Sequence, residues 1–410
     1  MHEGICEALL SQDTQLLYVT NRVVEKAAKK IGAGHPAFHC EASINEKIAF
    51  ELALAGSWAS KRTACLLSSE GFYDALDPLM SSAYTGSVGG FLVIAVQEND
   101  EEVTPIGFFS KMPLLVTENG AEFRAAVEYG YYISEKYSIP VIIQAAPFED
   151  RGYSAEEPQI ANRTSGIVNR AAEFIKNPPR WAATPKFRYA LHKELNEKIE
   201  KIRSEFEGYA GNKKIIKDTT GLITDKSSCL EFYDDDISLL KISTVYPLPL
   251  KLIIGFIDGL EEVFIAETYP AMELQIPERS KVMKGIAGME RRGPKPEETI
   301  YGFHVVRDKL GPASSINMAH GIKKCMPGKK ILAITYEDFF FHSGMAAFVN
   351  TLYNNSSYVL LVLANNKEEA MKEVLRGFGF HNYFHLDNIS EVERFRDTTE
   401  MTVLFCRGIG

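Results

Sequence analysis

Along residues 1–150, short continuous apolar runs alternate with stretches whose apolar positions recur at helical spacing. The pattern predicts a helix over 43–59 and a buried strand in RTACLLSS (62–69). It predicts a helix in DALDPLMSSAY (74–84) and a strand in GGFLVIAV (89–96). AEFRAAVEYGYYISEKY (121–137) then reads as a helix and IPVIIQAA (139–146) as a strand. Strands that are apolar throughout, separated by amphipathic helices, predict a parallel sheet covered on both faces.

Residues 147–186 carry polar turns, and the Pro178-Pro179 pair breaks helical continuity. FRYALHKELNEKIEKIRSEFEGYAG (187–211) predicts a charged amphipathic helix with a solvated face and a glycine cap. A second α/β unit begins near 214 with KKIIKDTTG and continues through the strand SLLKISTVYPLP (238–249), KLIIGFIDGL (251–260) and EEVFIAE (261–267). Pro247 and Pro249 end the strand before the helix. The Gly/Pro/charge stretch KGIAGMERRGPKPEE (284–298) predicts a boundary. A third unit holds SSINMAHGIKK (314–324), KKILAIT (329–335), a helix at 342–353, YVLLVLAN (358–365), a helix from 367 and the strand MTVLFC (401–406). The expected architecture is α/β in three units: a domain at 1–150, a linker and long helix at 151–211, a domain at 212–283 and a shortened one at 284–410. No tandem repeat is visible.

The chain has 410 residues, 45% hydrophobic and 24% charged, so it can bury several cores. A formal charge of −9 argues against broad nucleic-acid binding, which needs clustered Lys and Arg. No apolar run is long enough for a membrane span, and MHEGICEALLSQDTQ lacks the blocks of a secretory signal, so the expected location is the cytoplasm. The six cysteines form no C-x-x-C pair, which leaves no iron–sulfur or zinc motif and suits buried, reduced thiols. His35 and His39 have i,i+4 spacing, but Gly32, Gly34 and Pro36 argue against a helix that would align them on a metal.

CEASINEKIAFELALAG (40–56) raises a sharper question, because Glu46 opens an apolar helix. Ser43-Ile44-Asn45-Glu46 fits the S-x-x-E capping box, in which both side chains satisfy backbone donors. The other reading is a buried carboxyl that holds a proton for a cofactor.

SINEKIAFELALAGSWASKR, DPLMSSAYTGSVGG, EKYSIPVII, STVYPLPLKLI, INMAHGIKK and FFFHSGMAAFVNTLYNNS together resemble the indolepyruvate ferredoxin oxidoreductase alpha subunits. These belong to the thiamine diphosphate-dependent 2-oxoacid:ferredoxin oxidoreductases. The resemblance covers nearly the whole chain in one order. It implies a thiamine diphosphate-binding, transketolase-like fold of parallel sheets flanked by helices. Its domains would be pyrimidine-binding, transketolase-C-like and diphosphate-binding, in that order.

By the same resemblance Glu46 faces the aminopyrimidine of the cofactor, and an apolar surround of Ile44, Ile48 and Phe50 would raise its pKa and keep its proton available. Where the family has GDS and, 28 residues later, DN, this chain has Tyr336-Glu337-Asp338 and Ala364-Asn365. That implies Glu337, Asp338 and Asn365 as ligands of Mg²⁺, with Tyr336 and Ser343 beside the diphosphate. The bland alternative is an exposed acidic pair at a strand end. His342 either orients a diphosphate or substrate or is structural, and His320 matches a family histidine. Tyr18-Val19-Thr20-Asn21-Arg22 replaces a family turn near the substrate carboxylate. Arg22 is there either a carboxylate ligand or a surface residue. The family's C-x-G-C-P-H segment and cysteine-rich tail have no counterpart, so no iron–sulfur cluster is expected in this chain, and a second subunit or ferredoxin would carry clusters.

The implied function is oxidative decarboxylation of an arylpyruvate or related 2-oxoacid by a homodimer. The alternatives are a catalytically degenerate member acting in assembly or regulation, and a non-redox thiamine-dependent decarboxylase. Gly86, Gly89 and Gly90 read as a turn before a strand.

Overall fold

The computed structural model describes residues 1–96, 103–148, 172–181, 184–226, 237–267, 271–277, 282–283, 299–300, 303–308 and 312–407. The chain divides into two compact units, Met1–Met289 and Glu290–Gly410.

The first unit contains β1 (Leu16–Val19), β2 (His39–Ala42), β3 (Thr63–Ser68), β4 (Phe91–Val96), β5 (Leu114–Thr117) and β6 (Val141–Ala145). They are followed by β7 (Lys213–Ile215), β8 (Thr220–Thr224), β9 (Ser238–Lys241), β10 (Thr244–Tyr246), β11 (Glu262–Ala266) and β12 (Val282–Met283). One sheet has the order β10-β5-β6-β4-β3-β1-β2. Strands β1 to β6 run parallel, and β10 closes the edge antiparallel to β5. Every residue of β4, β5 and β6 is buried, as expected of a parallel sheet covered on both faces. The predicted helices appear as Glu46–Trp58, Leu76–Thr85 and Gly120–Tyr137. Gly86, at φ +78°, closes the second of them ahead of β4.

A second sheet in this unit has the order β12-β11-β8-β9-β7, with only β7 antiparallel. The run SLLKISTVY does not form the single strand its pattern predicts. Its first half is β9 in the second sheet, and its second half is β10 in the first. Asn212 fixes the switch. Its Oδ1 accepts from the Ser243 and Thr244 N–H groups at 2.9 and 3.2 Å, and its Nδ2 donates to Phe206 O and Thr244 Oγ1. Beside it the buried Lys241 ammonium pairs with Glu118 and, at 2.8 and 3.0 Å, with both oxygens of Glu122 on the helix Gly120–Tyr137.

Two local expectations are corrected here. The long helix is Pro185–Phe206 and ends on Glu207 rather than at a glycine. Pro178-Pro179 starts a one-turn helix, Pro178–Trp181, because proline suits a first helical turn. Arg180 then ties that turn to Glu194 with two hydrogen bonds of 2.7 and 2.8 Å. Most of the predicted linker, and the boundary stretch 284–298, lie outside the described residues.

The second unit is one sheet of β13 (Thr299–Ile300), β14 (Phe303–Arg307), β15 (Ile331–Tyr336), β16 (Val359–Leu363), β17 (Tyr383–Leu386) and β18 (Thr402–Cys406). Its order is β13-β14-β15-β16-β18-β17, parallel except for β13. Helices Ser314–Cys325, Met345–Tyr353 and Glu368–Gly377 supply the crossovers. The chain is thus α/β with parallel sheets flanked by helices, built on three sheets. Among the described residues, no helix is long and apolar enough to cross a membrane.

Candidate functional site

In the first unit β3, β1 and β2 are neighbours, and the segments after their C-terminal ends carry Gly71, Thr20 and Glu46. The carboxyl ends of strands in open α/β sheets are where ligands bind. The chain enters the helix Glu46–Trp58 at Asn45, whose backbone is extended (φ −147°, ψ 171°) and whose Oδ1 accepts from Ile48 N–H at 2.9 Å. Asn45 is therefore the N-cap, and the predicted Ser43 capping box does not form. Ser43 lies two residues too early, and its buried hydroxyl has no hydrogen-bond partner.

Glu46 is 5% exposed, and its Oε1 accepts from Thr20 Oγ1 at 3.2 Å. Gly71 presses on it: a Cβ there would lie 2.2 Å from Glu46 Cγ and 2.8 Å from Oε1. Neither Thr20 nor Gly71 was singled out as a partner of Glu46 in the sequence. The available signal was positional, since each follows directly on an apolar strand run. The expected apolar surround is only partly present. Phe50 is fully buried, whereas Ile44 and Ile48 are 52% and 38% exposed. With Val23 and Tyr73, also exposed, they give the same strand ends an apolar rim. Arg22 is exposed in the first turn of the helix Arg22–Ile31.

In the second unit β14, β15 and β16 are neighbours, and their C-terminal ends bring together most of the residues assigned to the diphosphate and metal. Tyr336 ends β15 half-exposed, its ring edge-on to Phe339. Glu337 is buried. Its Oε2 accepts three backbone N–H groups, from Asn365, Asn366 and Lys367, at 2.9, 3.0 and 2.9 Å. Asp338 pairs with the Lys367 ammonium. Ser343 Oγ donates to Pro312 O at 2.7 Å, so that hydroxyl holds the preceding loop. His342 is partly buried in the π-helical turn Phe340–Gly344, and His320 lies in the helix Ser314–Cys325. Asp308, not anticipated, accepts from Ser315 N–H at 2.8 Å and Thr335 Oγ1 at 2.6 Å, joining β14, β15 and the helix Ser314–Cys325.

Thiamine diphosphate, implied by the resemblance, asks for a carboxyl at its ring and for oxygen ligands to a divalent ion at its diphosphate. The ring end fits Glu46: the carboxyl is buried, oriented by Thr20 and set at a ligand-binding edge. The diphosphate end does not fit the side chains as they stand. Glu337 Oε2 is committed to three amides and Asp338 to an ammonium. Among the described residues no group of three His, Cys, Asp or Glu side chains is placed to hold a metal ion. His35 and His39 follow the expectation against a shared helix, the first ending a 3₁₀ turn and the second starting β2. Cys6, Cys40, Cys65 and Cys406 are free and buried, but Cys325 is exposed at the end of its helix, and Cys229 lies outside the described residues.

No family model matches the chain. The resemblance to indolepyruvate oxidoreductases is borne out by curated relatives. Indolepyruvate oxidoreductase subunit IorA of Pyrococcus abyssi is 26% identical over 448 aligned positions, covering 81% of this chain and 68% of that one. The subunit of the same name from Pyrococcus horikoshii is 31% identical over 273 positions, covering 61% of this chain and 40% of that one. That of Thermococcus kodakarensis is 25% identical, covering 82% and 68%. Among solved structures, the 2-oxoglutarate:ferredoxin oxidoreductase of Magnetococcus marinus aligns with a TM-score of 0.48 at 13% identity, covering 64% of this chain and 56% of that chain. An inactive split-gene transketolase aligns at 0.41 and 14% identity, covering 65% and 78%.

Proposed function

We propose that the chain is the alpha-like subunit of a 2-oxoacid:ferredoxin oxidoreductase that acts on indolepyruvate or a related 2-oxoacid. The observation that carries this reading is Glu46, a buried carboxyl at a strand-end corner of a chain similar to indolepyruvate oxidoreductase subunits over most of its length. Bound thiamine diphosphate would supply the electron sink that decarboxylation of a 2-oxoacid requires. The chain's own contribution is to hold one proton on Glu46 against the cofactor ring, with Thr20 fixing the carboxyl plane and Gly71 leaving room for it. The exposed apolar side chains Val23, Ile44, Ile48 and Tyr73 would exclude water once a neighbouring subunit covers them, in keeping with a homodimer. Glu337, Asp338 and Asn365 are not proposed as ligands of the Mg²⁺ that accompanies a diphosphate, so that end of the cofactor would have to be held by a partner subunit. Electrons would leave through a cluster-bearing second subunit or ferredoxin.

The test is isolation of the chain from its native cells with its bound partners. Reduction of a viologen dye is then measured with indolepyruvate, coenzyme A and thiamine diphosphate. Dye reduction that Glu46→Gln abolishes supports the proposal. No reduction, or full activity in Glu46→Gln, overturns it. Carbon dioxide release without an electron acceptor would instead identify a non-redox decarboxylase.

A further inference from the structure

We propose that Glu337 is a resident anion. Its carboxylate fills the amide cup at residues 365–367, so that the C-terminal unit takes neither a diphosphate nor its metal ion there. The inference rests on the reading above in one respect: the resemblance places a diphosphate at this loop.

Three successive N–H groups converge on one oxygen at 2.9, 3.0 and 2.9 Å, at the start of the helix Glu368–Gly377. Such a cup is built for an anion, because the amides and the helix N-terminus place partial positive charge at a single point. Here the anion is part of the chain. A tethered carboxylate reaches the cup at a far higher effective concentration than a dissolved phosphate does.

A nearby cation is likewise engaged by a carboxylate of the chain. The Lys367 ammonium, which a phosphate would otherwise recruit, is paired with Asp338. An incoming diphosphate would meet two carboxylates where it needs donors. A divalent ion that took Glu337 Oε2 would draw it away from all three amides, and the Asn365, Asn366 and Lys367 N–H groups would lose their shared acceptor. The side chain's length is what makes the contact. Glu337 starts at the end of β15 and spans to the loop after β16, one strand away.

Inorganic pyrophosphate with Mg²⁺ is the probe, because it carries no ring for Glu46 to meet. Its result reads the C-terminal unit alone, whereas the dye-reduction assay reads the chain with its bound partners, so the two can fail separately. Calorimetry on the full chain is expected to give no saturable heat. Hydrogen exchange across 365–367 is expected to be protected and unchanged by the probe. Glu337→Ala empties the cup, and pyrophosphate affinity should rise by about tenfold or more over the unmodified chain. Should that variant fail to fold, Glu337→Gln keeps the size and one acceptor oxygen and should show a smaller gain. Saturable binding by the unmodified chain, a shift in exchange at 365–367 on adding the probe, or a folded variant with no gain would each overturn the proposal.

Discussion

A methyl group on Gly71 would lie 2.2 Å from Glu46 Cγ, so the glycine and the glutamate are shaped to each other across the ends of β3 and β2. Gly71→Ala must rotate Glu46 off its bond to Thr20 or push apart the two helix starts. Overpacking of this kind costs about 1–3 kcal/mol, read as a fall in melting temperature. A displaced carboxyl should also lower 2-oxoacid-dependent dye reduction by about a hundredfold. Unchanged activity would show that the carboxyl's position is immaterial.

The helix start at Asn45 separates two substitutions that the S-x-x-E pattern treats alike. Asn45→Ala removes the observed cap bond to Ile48 and should cost about 1 kcal/mol in urea unfolding. Ser43→Ala removes a buried hydroxyl without a partner and should leave stability unchanged or slightly raised. A larger loss for Ser43→Ala than for Asn45→Ala would contradict the cap assignment.

Lys241 and its two glutamates set a pH window for the first unit. Burial pushes the Glu122 carboxyl up, but the Lys241 hydrogen bond, a backbone bond at Glu118 and the Lys241 and Lys213 charges outweigh it and leave it below 4.5. Its contribution is therefore present above 4.5 and lost as pH falls through the depressed value. Burial lowers the Lys241 ammonium's pKa, yet its bonds to Glu118 and Glu122 hold it above 10.5, so its contribution fades only as pH rises past that. Lys241→Met takes the ammonium from two partly buried carboxylates, of which Glu122 keeps its pair with Lys213, and should cost about 1–3 kcal/mol at neutral pH. It should also flatten the acid limb of a melting-temperature profile. An unchanged acid limb would remove Glu122 from that role.

The Asn212 side chain bonds Phe206 O, the Thr244 hydroxyl and the Ser243 and Thr244 N–H groups around the switch between β9 and β10. Asn212→Ala strands the buried Ser243 and Thr244 N–H groups and should cost about 2–3 kcal/mol. Hydrogen exchange should rise first at 243–246 and at Leu114–Thr117. Uniform loosening of the whole unit would argue against a local clasp.

Strands β3, β4, β6, β15, β16 and β18 were legible because buried parallel strands are continuous apolar runs, and several crossovers because they repeat at helical spacing; β1, β2, β14 and β17 and the helices His2–Ser11 and Arg22–Ile31 were not anticipated. The split of SLLKISTVY was not, since nothing in an apolar run says which sheet its halves join. That choice belongs to Asn212, about thirty positions away in the chain. Glu46 could be singled out, but its neighbours are tertiary: Thr20, just after β1, and Gly71, just after β3. Glu337 shows the converse. Its position relative to Asn365 read as a ligand pair, while the fold turns the carboxylate onto backbone amides that no side-chain pattern reveals. Cys325 departed from the buried thiols because it sits on the last, solvent-facing turn of its helix.

Because β10 crosses to β5, the first sheet borrows its outermost strand from a segment more than a hundred residues downstream. A fragment ending before Thr244 would leave the N–H and C=O groups of Leu114–Thr117 bare along one margin, a template for another chain to pair with. Recombinant work on the N-terminal α/β layer alone should therefore meet aggregation before it meets chemistry. The boundary that keeps it soluble lies beyond Tyr246 rather than at the end of the first run of strands.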